Sequence, residues 1–321
     1  MENNIFIGPF RKELFDYYNY KISLGYKFKS QLVQLKFFDN YTYEKYKDKT
    51  EISKEIVCGF IEHTNSNKNT KSAYASLLRQ FAIYLTHNEI VAYIIPERIY
   101  TRTNRHIPYI FTDEEIERIF KSLEKYNFQI EFRKDIIIIL FKLLYCTGMR
   151  ISEVLDICVN DINFVERTLI IHKTKNNAER VIAINEKLCN ELSIIIKKYH
   201  NSIIKDYIFI RNDGKRYNGR DIYALFRKIL YYAKVRRTKN GPRLHDFRFT
   251  FCTKCLKKLI EEGKDINSYL PILSAYMGHK DFKSTEYYLT LTADVYPNIR
   301  EKLEKHSKNI IRNIDWSEFN D

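Results

Sequence analysis

Glycine and proline are scarce in this chain, with 9 and 6 copies among 321 residues, and tryptophan occurs once. Lysine, asparagine, isoleucine and tyrosine are abundant instead. An AT-rich genome can impose such a bias, so the composition does not by itself indicate a function. We find no internal repeat and no low-complexity segment, which excludes a repeat architecture. The length excludes a peptide or a small disulfide-stabilised fold and suggests two domains.

Long apolar runs are also missing. The most apolar stretch, residues 135–146, is interrupted by Lys142 and is far shorter than the roughly 20 residues that span a bilayer. It predicts a buried helix. The first residues, MENNIFIGPFRKEL, lack the basic and then apolar regions of a signal peptide. We therefore expect a cytoplasmic protein.

The six cysteines are scattered along the chain, which fits a reducing compartment. Cys252 and Cys255 form a single C-x-x-C, but no second cysteine or histidine pair stands at zinc spacing. We interpret both as buried thiols rather than metal ligands.

Positive charge is in excess. The chain has 54 Lys and Arg against 40 Asp and Glu, for a net charge of +14. Residues 1–100 hold +3 of this excess and the remaining residues +11. A basic surplus favours a polyanionic partner, of which nucleic acid is the commonest. Because the compositional bias also raises the lysine content, charge alone leaves the partner open.

The sequence predicts two domains. Over residues 1–95 the apolar residues recur at helical spacing and strand patterns are absent, which predicts an all-helical domain. Residues 96–110 are basic, polar and without a sustained period, so we expect a linker there. The second domain, residues 111–321, begins with a helix capping box at residues 112–115.

The second domain combines helices with a small sheet. The helix over residues 135–146 should end near Gly148, and a short helix should start around Ser152. β-branched runs at residues 167–171 and 180–184 are joined by a polar turn, which predicts an antiparallel hairpin. The remainder is mostly helical. The expected fold class is mainly α with a small antiparallel β-sheet (α+β).

Four short motifs in the second domain carry the candidate chemistry. In chain order they are Thr147-Gly-Met-Arg150-Ile-Ser-Glu153, His245-Asp-Phe-Arg248, Met277-Gly-His279 and, nine residues further on, Tyr288. Taken singly, each has an ordinary structural explanation. In the same order these are an arginine beside a helix start, a solvated helix end, a helix-ending glycine before a histidine, and one of 25 tyrosines.

The order and spacing of these motifs resemble the tyrosine recombinase (phage integrase) family, in particular its Xer-like site-specific recombinases. The resemblance covers essentially the whole second domain, and the linker, the hairpin and the helical first domain fit the same layout. It implies a catalytic domain over residues 111–321 and a core-binding domain over residues 1–95. Together these domains would hold double-stranded DNA in a clamp.

The resemblance also implies roles for single residues. Arg150 and Arg248 would bind the scissile phosphate, and His245 and His279 would contact the same phosphate or transfer protons. Tyr288 would be the nucleophile, forming a 3′-phosphotyrosyl intermediate and a free 5′-hydroxyl. Two guanidiniums can stabilise the phosphate charge without a metal, and a tyrosine hydroxyl needs a base or a positive potential to lose its proton. No metal, ATP or other cofactor is expected.

The family further places a lysine on the hairpin, as the acid that protonates the leaving oxygen. Lys173 and Lys175 both qualify. Counting back from Glu179 and Arg180, which resemble the Glu-Arg of the family's second hairpin strand, favours Lys175.

Other positions near the motifs either support the site or depart from the family pattern. We interpret Glu153 and Asp246 as groups that orient the basic side chains. Phe249 stands where many family members have histidine, and residues 183–184 replace a proline that commonly follows the second strand. The second departure weakens the hairpin alignment and therefore the choice of lysine.

The implied partners are DNA and further copies of this chain. Candidate phosphate contacts lie in both domains: Lys68, Lys71, Arg79, Lys234, Arg236, Arg237, Lys239 and Arg243. The tail predicts a helix that docks either on its own domain or on a neighbouring protomer, which would couple subunits in a tetramer. Its apolar stripe consists of Ile299, Leu303, His306 and Ile310, followed by Ile314 and Trp316.

Three other functions fit parts of the sequence. A topoisomerase-like enzyme would use the same chemistry on one duplex, and a silent DNA-binding protein would keep the fold without the reaction. The complete set of motif residues argues against the silent protein. A metal phosphohydrolase built on His245 and Asp246 lacks the further histidine and aspartate ligands that it would need.

Overall fold

The computed structural model describes residues 5–101, 107–172, 179–199, 207–211, 213–236, 241–279, 283–296 and 298–299. The chain divides into two compact units, Met1–Arg105 and His106–Asp321. The division falls within the segment 96–110. Within the described ranges no helix is long and apolar enough to cross a membrane.

Four helices build the described part of the first unit: α1 (Arg11–Ser23), α2 (Lys29–Lys45), α3 (Lys54–His63) and α4 (Lys68–His87). Side chains cap two of them, since Ser53 accepts the amide of Ile56 and Asn67 accepts the amide of Thr70. The apolar faces of the helices meet in one core. Its largest members are aromatic: Tyr17, Phe38, Phe60 and Phe81.

Eight helices belong to the described part of the second unit: α5 (Asp113–Lys125), α6 (Glu131–Thr147), α7 (Ile151–Leu155), α8 (Glu186–Tyr199), α9 (Gly219–Tyr232), α10 (Asp246–Glu261), α11 (Ile266–Met277) and α12 (Lys283–Val295). The predicted capping box is confirmed: Thr112 Oγ1 accepts the amide of Glu115, and Glu115 Oε2 accepts the amide of Thr112. The end of α6 at Gly148 and the start of α7 at Ile151 also agree with the sequence.

A three-stranded antiparallel sheet lies between α7 and α8. Its strands are β1 (Ile162–Asn163), β2 (Thr168–Ile171) and β3 (Arg180–Ala183), in the order β1-β2-β3. The predicted hairpin is confirmed, with Leu169 opposite Ile182 and Ile171 opposite Arg180. The sequence missed β1, because two residues are too few to show an alternating pattern. The fold class, mainly α with a small antiparallel sheet, is confirmed.

Helix α6 lies at the centre of the second unit and is buried on most sides. Helix α10 packs against it and against α12. Phe247 on α10 is fully buried and stacks on Phe111 with ring centroids 5.1 Å apart. Burying one such side chain contributes about 1.5–3 kcal/mol, so this contact fixes the rotation of α10 about its axis. Cys252 on the same helix is buried, as predicted, whereas Cys255 is half-buried.

Candidate active site

The first arginine of the site is positioned by a glycine turn. Helix α6 ends at Gly148, whose φ of +62° is the left-handed conformation that favours glycine. A Cβ at this position would lie 2.6 Å from Cδ1 of Phe251, so a side chain is also sterically excluded. The turn makes Arg150 the residue that precedes α7, and its amide donates to Glu153 Oε2 at 2.8 Å.

Glu153 holds two guanidiniums at once. Its Oε1 lies 2.8 Å from Arg150 Nη1, and its Oε2 lies 2.8 Å from Arg180 Nη2. Burial alone would raise the pKa of Glu153, but hydrogen bonds from Arg180 and from the amide of Arg150 outweigh it and lower the pKa to about 2. The carboxylate is therefore ionised at neutral pH. It orients Arg150, as predicted from the sequence.

Arg180 is a site residue whose role the sequence motifs did not predict. Its Nε donates to the carbonyl of Tyr276 at 2.9 Å, so it ties β3 to the end of α11 as well as to Glu153. Gly278 ends α11 with a φ of +63°, and a Cβ there would lie 2.9 Å from Arg180 Nη1. The glycine before the predicted histidine is thus required by the close approach of Arg180.

The second predicted arginine is almost fully buried, with 2% of Arg248 exposed. Its Nη1 donates to the carbonyl of Gly148 at 2.9 Å, and its Nη2 donates to the carbonyl of Met277 at 2.5 Å. These carbonyls lie at the C-terminal ends of α6 and α11, where the helix dipoles favour a cation. Burial lowers the pKa of Arg248, and the neighbouring Tyr288 counteracts that effect.

The nucleophile candidate lies against the second histidine. The rings of His279 and Tyr288 are nearly parallel, at an interplanar angle of 12° with centroids 5.5 Å apart. His279 Nε2 is also 3.1 Å from Arg248 Nη2. Only 4% of Tyr288 is exposed. Burial raises the pKa of its phenol to about 12, although the charge and hydrogen bond of Arg248 act in the opposite direction.

His245 is the residue immediately before α10, and part of it is exposed while its ring packs on Phe249. Its pKa is lowered to about 4, first because the surrounding protein desolvates the ring and then because Arg248 and Arg150 repel a further positive charge. The ring is therefore neutral at pH 7. The rings of His245 and Phe249 are nearly perpendicular, with centroids 5.3 Å apart, and the centroid of the Phe249 ring lies 5.1 Å from that of Tyr288.

These contacts bring five of the six predicted site residues into one cluster. They are Arg150, His245, Arg248, His279 and Tyr288. Four separate elements supply them: the turn before α7, the start of α10, the end of α11 and helix α12. Lys175, the sixth, and its rival Lys173 lie outside the described residues.

One supporting residue has a different role from the one expected. Asp246 is buried, and its Oδ2 accepts the amide of Arg243 at 2.6 Å rather than a guanidinium. It fixes the turn that leads into α10. Burial raises its pKa to about 6, and the amide of Arg243 partly offsets this.

Some candidate phosphate contacts have partners within the protein. Lys71 pairs with Glu62, and Arg79 donates to the carbonyls of Ile95 and Pro96. These two cations therefore support the first unit. The side chains of Lys68, Lys234, Arg236 and Arg243 are exposed. Arg237, Lys239 and the tail beyond Ile299 lie outside the described residues.

The second unit is mainly helical, has a small sheet and brings arginine, histidine and tyrosine side chains together. These features are those of the class of tyrosine-dependent DNA recombinases. The sequence model of the phage integrase family matches residues 110–294. Since this is more than half of the chain, the protein belongs to the phage integrase family.

Similar proteins agree with this assignment. The chain is 26% identical over 314 residues to a putative integrase/recombinase, y4rB, of Sinorhizobium fredii, covering 93% of this chain and 98% of the relative. It is 24% identical over 263 residues to the tyrosine recombinase XerD of Oceanobacillus iheyensis, covering 78% and 83% of the two chains. The predicted function, site-specific recombination by a tyrosine recombinase, is confirmed at this level.

Solved structures share the fold. The XerH recombinase, in a post-cleavage complex with a palindromic difH substrate, matches with a TM-score of 0.62 at 20% identity, covering 86% of this chain and 77% of that one. The Tn1549 transposon integrase in complex with a circular intermediate DNA matches with a TM-score of 0.63 at 15% identity, covering 86% and 94%.

Proposed function

We propose that this protein binds double-stranded DNA and cuts and rejoins it through Tyr288. The phenol oxygen attacks the scissile phosphorus, the bond to the 5′-oxygen breaks, and a 3′-phosphotyrosyl linkage and a 5′-hydroxyl form. A 5′-hydroxyl of the partner strand then attacks the same phosphorus and releases the tyrosine. The observation that carries this proposal is the contact of the Tyr288 ring with His279, which is itself within hydrogen-bonding distance of Arg248.

The two arginines supply the charge stabilisation. A phosphate in transfer develops negative charge on its non-bridging oxygens, and guanidiniums stabilise that charge most when they are already oriented. Glu153 orients Arg150, while helix-end carbonyls orient Arg248. Side chains fixed in this way need no reorganisation when the phosphate binds, which supports their role as the phosphate clamp.

We assign proton transfer to the two histidines and the hairpin lysine. Because burial raises the pKa of Tyr288 to about 12, its proton must be removed by a neighbouring base or by the phosphate itself as attack begins. His279 stacks on the phenol ring, and it, His245 and the hairpin lysine are the groups that we propose for this step. Neutral His245 is able to donate a hydrogen bond to a phosphate oxygen. We assign Lys175 as the acid at the leaving 5′-oxygen.

Both units contribute to DNA binding in this proposal, with residues 1–95 acting as the core-binding domain. The remaining described candidates for phosphate contacts are the exposed cations Lys68, Lys234, Arg236 and Arg243. Steep loss of affinity with rising salt is expected, because each neutralised phosphate releases counterions. Strand exchange requires two duplexes, so we propose a tetramer on two DNA sites, coupled by the tail. Removing residues 298–321 should then weaken assembly on DNA more than binding to one site.

A covalent capture experiment tests the proposal. The protein is incubated with a pool of nicked duplexes of randomised sequence, and DNA that stays attached in denaturant is recovered and sequenced. We expect an adduct with the wild type and with Tyr287→Phe, the matched control on the adjacent residue, but none with Tyr288→Phe. An adduct formed by Tyr288→Phe would refute the proposal. Exchange between two duplexes carrying the recovered site separates recombination from relaxation of one duplex.

A further inference from the structure

We propose that His172 is a positioning residue that, with both ring nitrogens protonated, fastens the two strand ends that flank residues 173–178 and so places the hairpin lysine at the leaving 5′-oxygen. This role rests on the proposed roles of Tyr288 and of the lysine, and it adds to them the residue that holds the lysine's part of the chain in place.

His172 joins three segments of the second unit. It directly follows β2, and Glu179 directly precedes β3, so the two residues lie just beyond the pair formed by Ile171 and Arg180. His172 Nδ1 lies 2.9 Å from Glu179 Oε1, and His172 Nε2 lies 2.9 Å from Asp161 Oδ1. The ring therefore connects both strand ends to the segment that precedes β1.

Asp161 is held in place independently of the histidine. It ends the short 3-10 helix Val159–Asp161, and its second carboxylate oxygen, Oδ2, accepts the amide of Cys158 at 2.8 Å. Its side chain is only 12% exposed. The bond from His172 therefore attaches the end of β2 to a fixed point of the second unit.

The other strand end starts beside the active site. Arg180 directly follows Glu179 and pairs with Glu153 inside the site. The segment that contains both candidate lysines therefore has the site at one end and His172 at the other. A displacement of about 1 Å in a reacting group can cost about a hundredfold in rate. Releasing the histidine should thus impair the acid and leave the two phosphate-binding arginines in position.

Both contacts of the ring require the doubly protonated form. Only the imidazolium ion donates from both nitrogens, whereas the neutral ring donates from one and turns a lone pair toward the other carboxylate. The hydrogen bond to Glu179 raises the pKa of His172 most, desolvation opposes this rise, and Asp161 adds to it. The pair of carboxylates thus favours the form that binds them both.

Other titratable groups line the same pocket. Glu153 and Asp156 face it, but each of them is paired with arginine, and Cys158 and Tyr207 also contribute to its wall. The two carboxylates that contact the ring therefore control its protonation. Since the folded-state pKa of His172 is raised, the positioning is present at low pH and is lost as the pH rises through that value.

A sulfur substitution in the DNA separates the task of the lysine from the other steps. When Tyr288 attacks, the bond from phosphorus to the 5′-oxygen breaks, and that oxygen takes a proton from the lysine. If sulfur replaces the bridging 5′-oxygen, the phosphorus–sulfur bond breaks and a thiolate leaves. A thiol has a pKa of about 8.5, far below that of an alcohol, so its departure needs no acid. A defect in the acid therefore slows cleavage of the oxygen duplex and spares the sulfur duplex.

His172→Gln is the test variant, because glutamine has one donor and one acceptor, like the neutral ring. The substrates are nicked duplexes with the site recovered by covalent capture, and the rate of adduct formation is measured on denaturing gels. At about pH 6 we expect a loss of at least about tenfold on the oxygen duplex and less than about twofold on the sulfur duplex. The loss on oxygen should approach zero as the pH rises to about 9.

Two further variants complete the set. Glu179→Gln removes one partner of the ring and should give the same pattern, so it remains the test if His172→Gln does not fold, as judged by circular dichroism. His87→Gln is the matched control, the same change at an exposed histidine of the first unit. It should cleave both duplexes at the wild-type rate.

The possible results distinguish His172 from the roles on which it depends. A wild type that forms no adduct overturns the role of Tyr288. If neither Lys173→Ala nor Lys175→Ala is slowed on oxygen and restored on sulfur, the hairpin acid is overturned and the role of His172 with it. If sulfur restores one lysine variant, but His172→Gln matches the wild type or is slowed equally on both duplexes, the role of His172 alone is overturned. A loss on oxygen that is the same at both pH values also contradicts it.

Discussion

Replacing Glu153 with glutamine removes the charge that holds two arginines while keeping the size of the side chain. The pKa of Glu153 is lowered from 4.5 to about 2 in the folded protein, and its side chain is 2% exposed. A difference of this size corresponds to about 3 kcal/mol of folding free energy at neutral pH. The variant also leaves Arg150 and Arg180 without their shared counter-ion, so we expect a loss of about 3–5 kcal/mol.

The stabilisation that Glu153 provides depends on pH in a direction that its lowered pKa determines. Because the folded-state pKa lies below the unfolded-state value, the contribution of Glu153 is fully present above a pH of about 4.5 and is lost as the pH falls toward 2. The difference in unfolding free energy between the wild type and Glu153→Gln should therefore shrink through this window.

Urea unfolding of both proteins at about pH 7 and about pH 3 measures the two free energies. Comparing the two proteins at each pH cancels the contributions of other groups that titrate between these two pH values, among them Asp246. The matched control is Glu124→Gln, the same chemical change at an exposed position of α5. A loss below about 1 kcal/mol in Glu153→Gln, or a loss that does not change with pH, would show that Glu153 is not the shared counter-ion of the two arginines.

Two further predictions concern the turns and the hairpin. Gly278→Ala should destabilise the protein by more than the roughly 1–2 kcal/mol typical of a left-handed residue, because its Cβ would also lie 2.9 Å from Arg180 Nη1. The control is Gly214→Ala, where φ is +73° and a Cβ would have no neighbour within 4 Å. Equal losses of unfolding free energy in the two variants, measured with urea, would contradict a steric role for the contact with Arg180. His172 lies 2.9 Å from both Glu179 and Asp161, which raise its pKa, so its contribution is present below a pH of about 6.5 and lost as the pH rises through the folded-state value. His172→Gln should therefore lower the free energy of unfolding by less than about 1 kcal/mol, since the ring is half-exposed. A difference in urea midpoint between the wild type and this variant that grows toward alkaline pH would contradict the expected pH dependence.

Local signals in the sequence were sufficient for much of the fold. The capping box at Thr112, the glycine end of α6 and the hairpin each depend on neighbouring residues, and the structure has all three. Strand β1 was missed because a strand of two residues is too short to show the alternating pattern by which strands are predicted, even though it pairs with the nearby β2.

The site was predicted through the order of its motifs, and its supporting residues were predicted less well. Arg180 lies 27 residues from Glu153 and 96 from Tyr276, its two partners, and no local period encodes such contacts. Asp246 was expected to orient a basic side chain, whereas its carboxylate accepts the amide of Arg243. The choice between Lys173 and Lys175 stays a prediction.

In the proposed reaction one phosphorus atom becomes bonded to the oxygen of Tyr288. Protease digestion of the trapped DNA adduct, followed by mass spectrometry of the peptide that carries the nucleotide, locates the linkage directly. We expect a nucleotide joined through its 3′-phosphate to Tyr288. A linkage at Tyr287, at any other residue, or through a 5′-phosphate would contradict it.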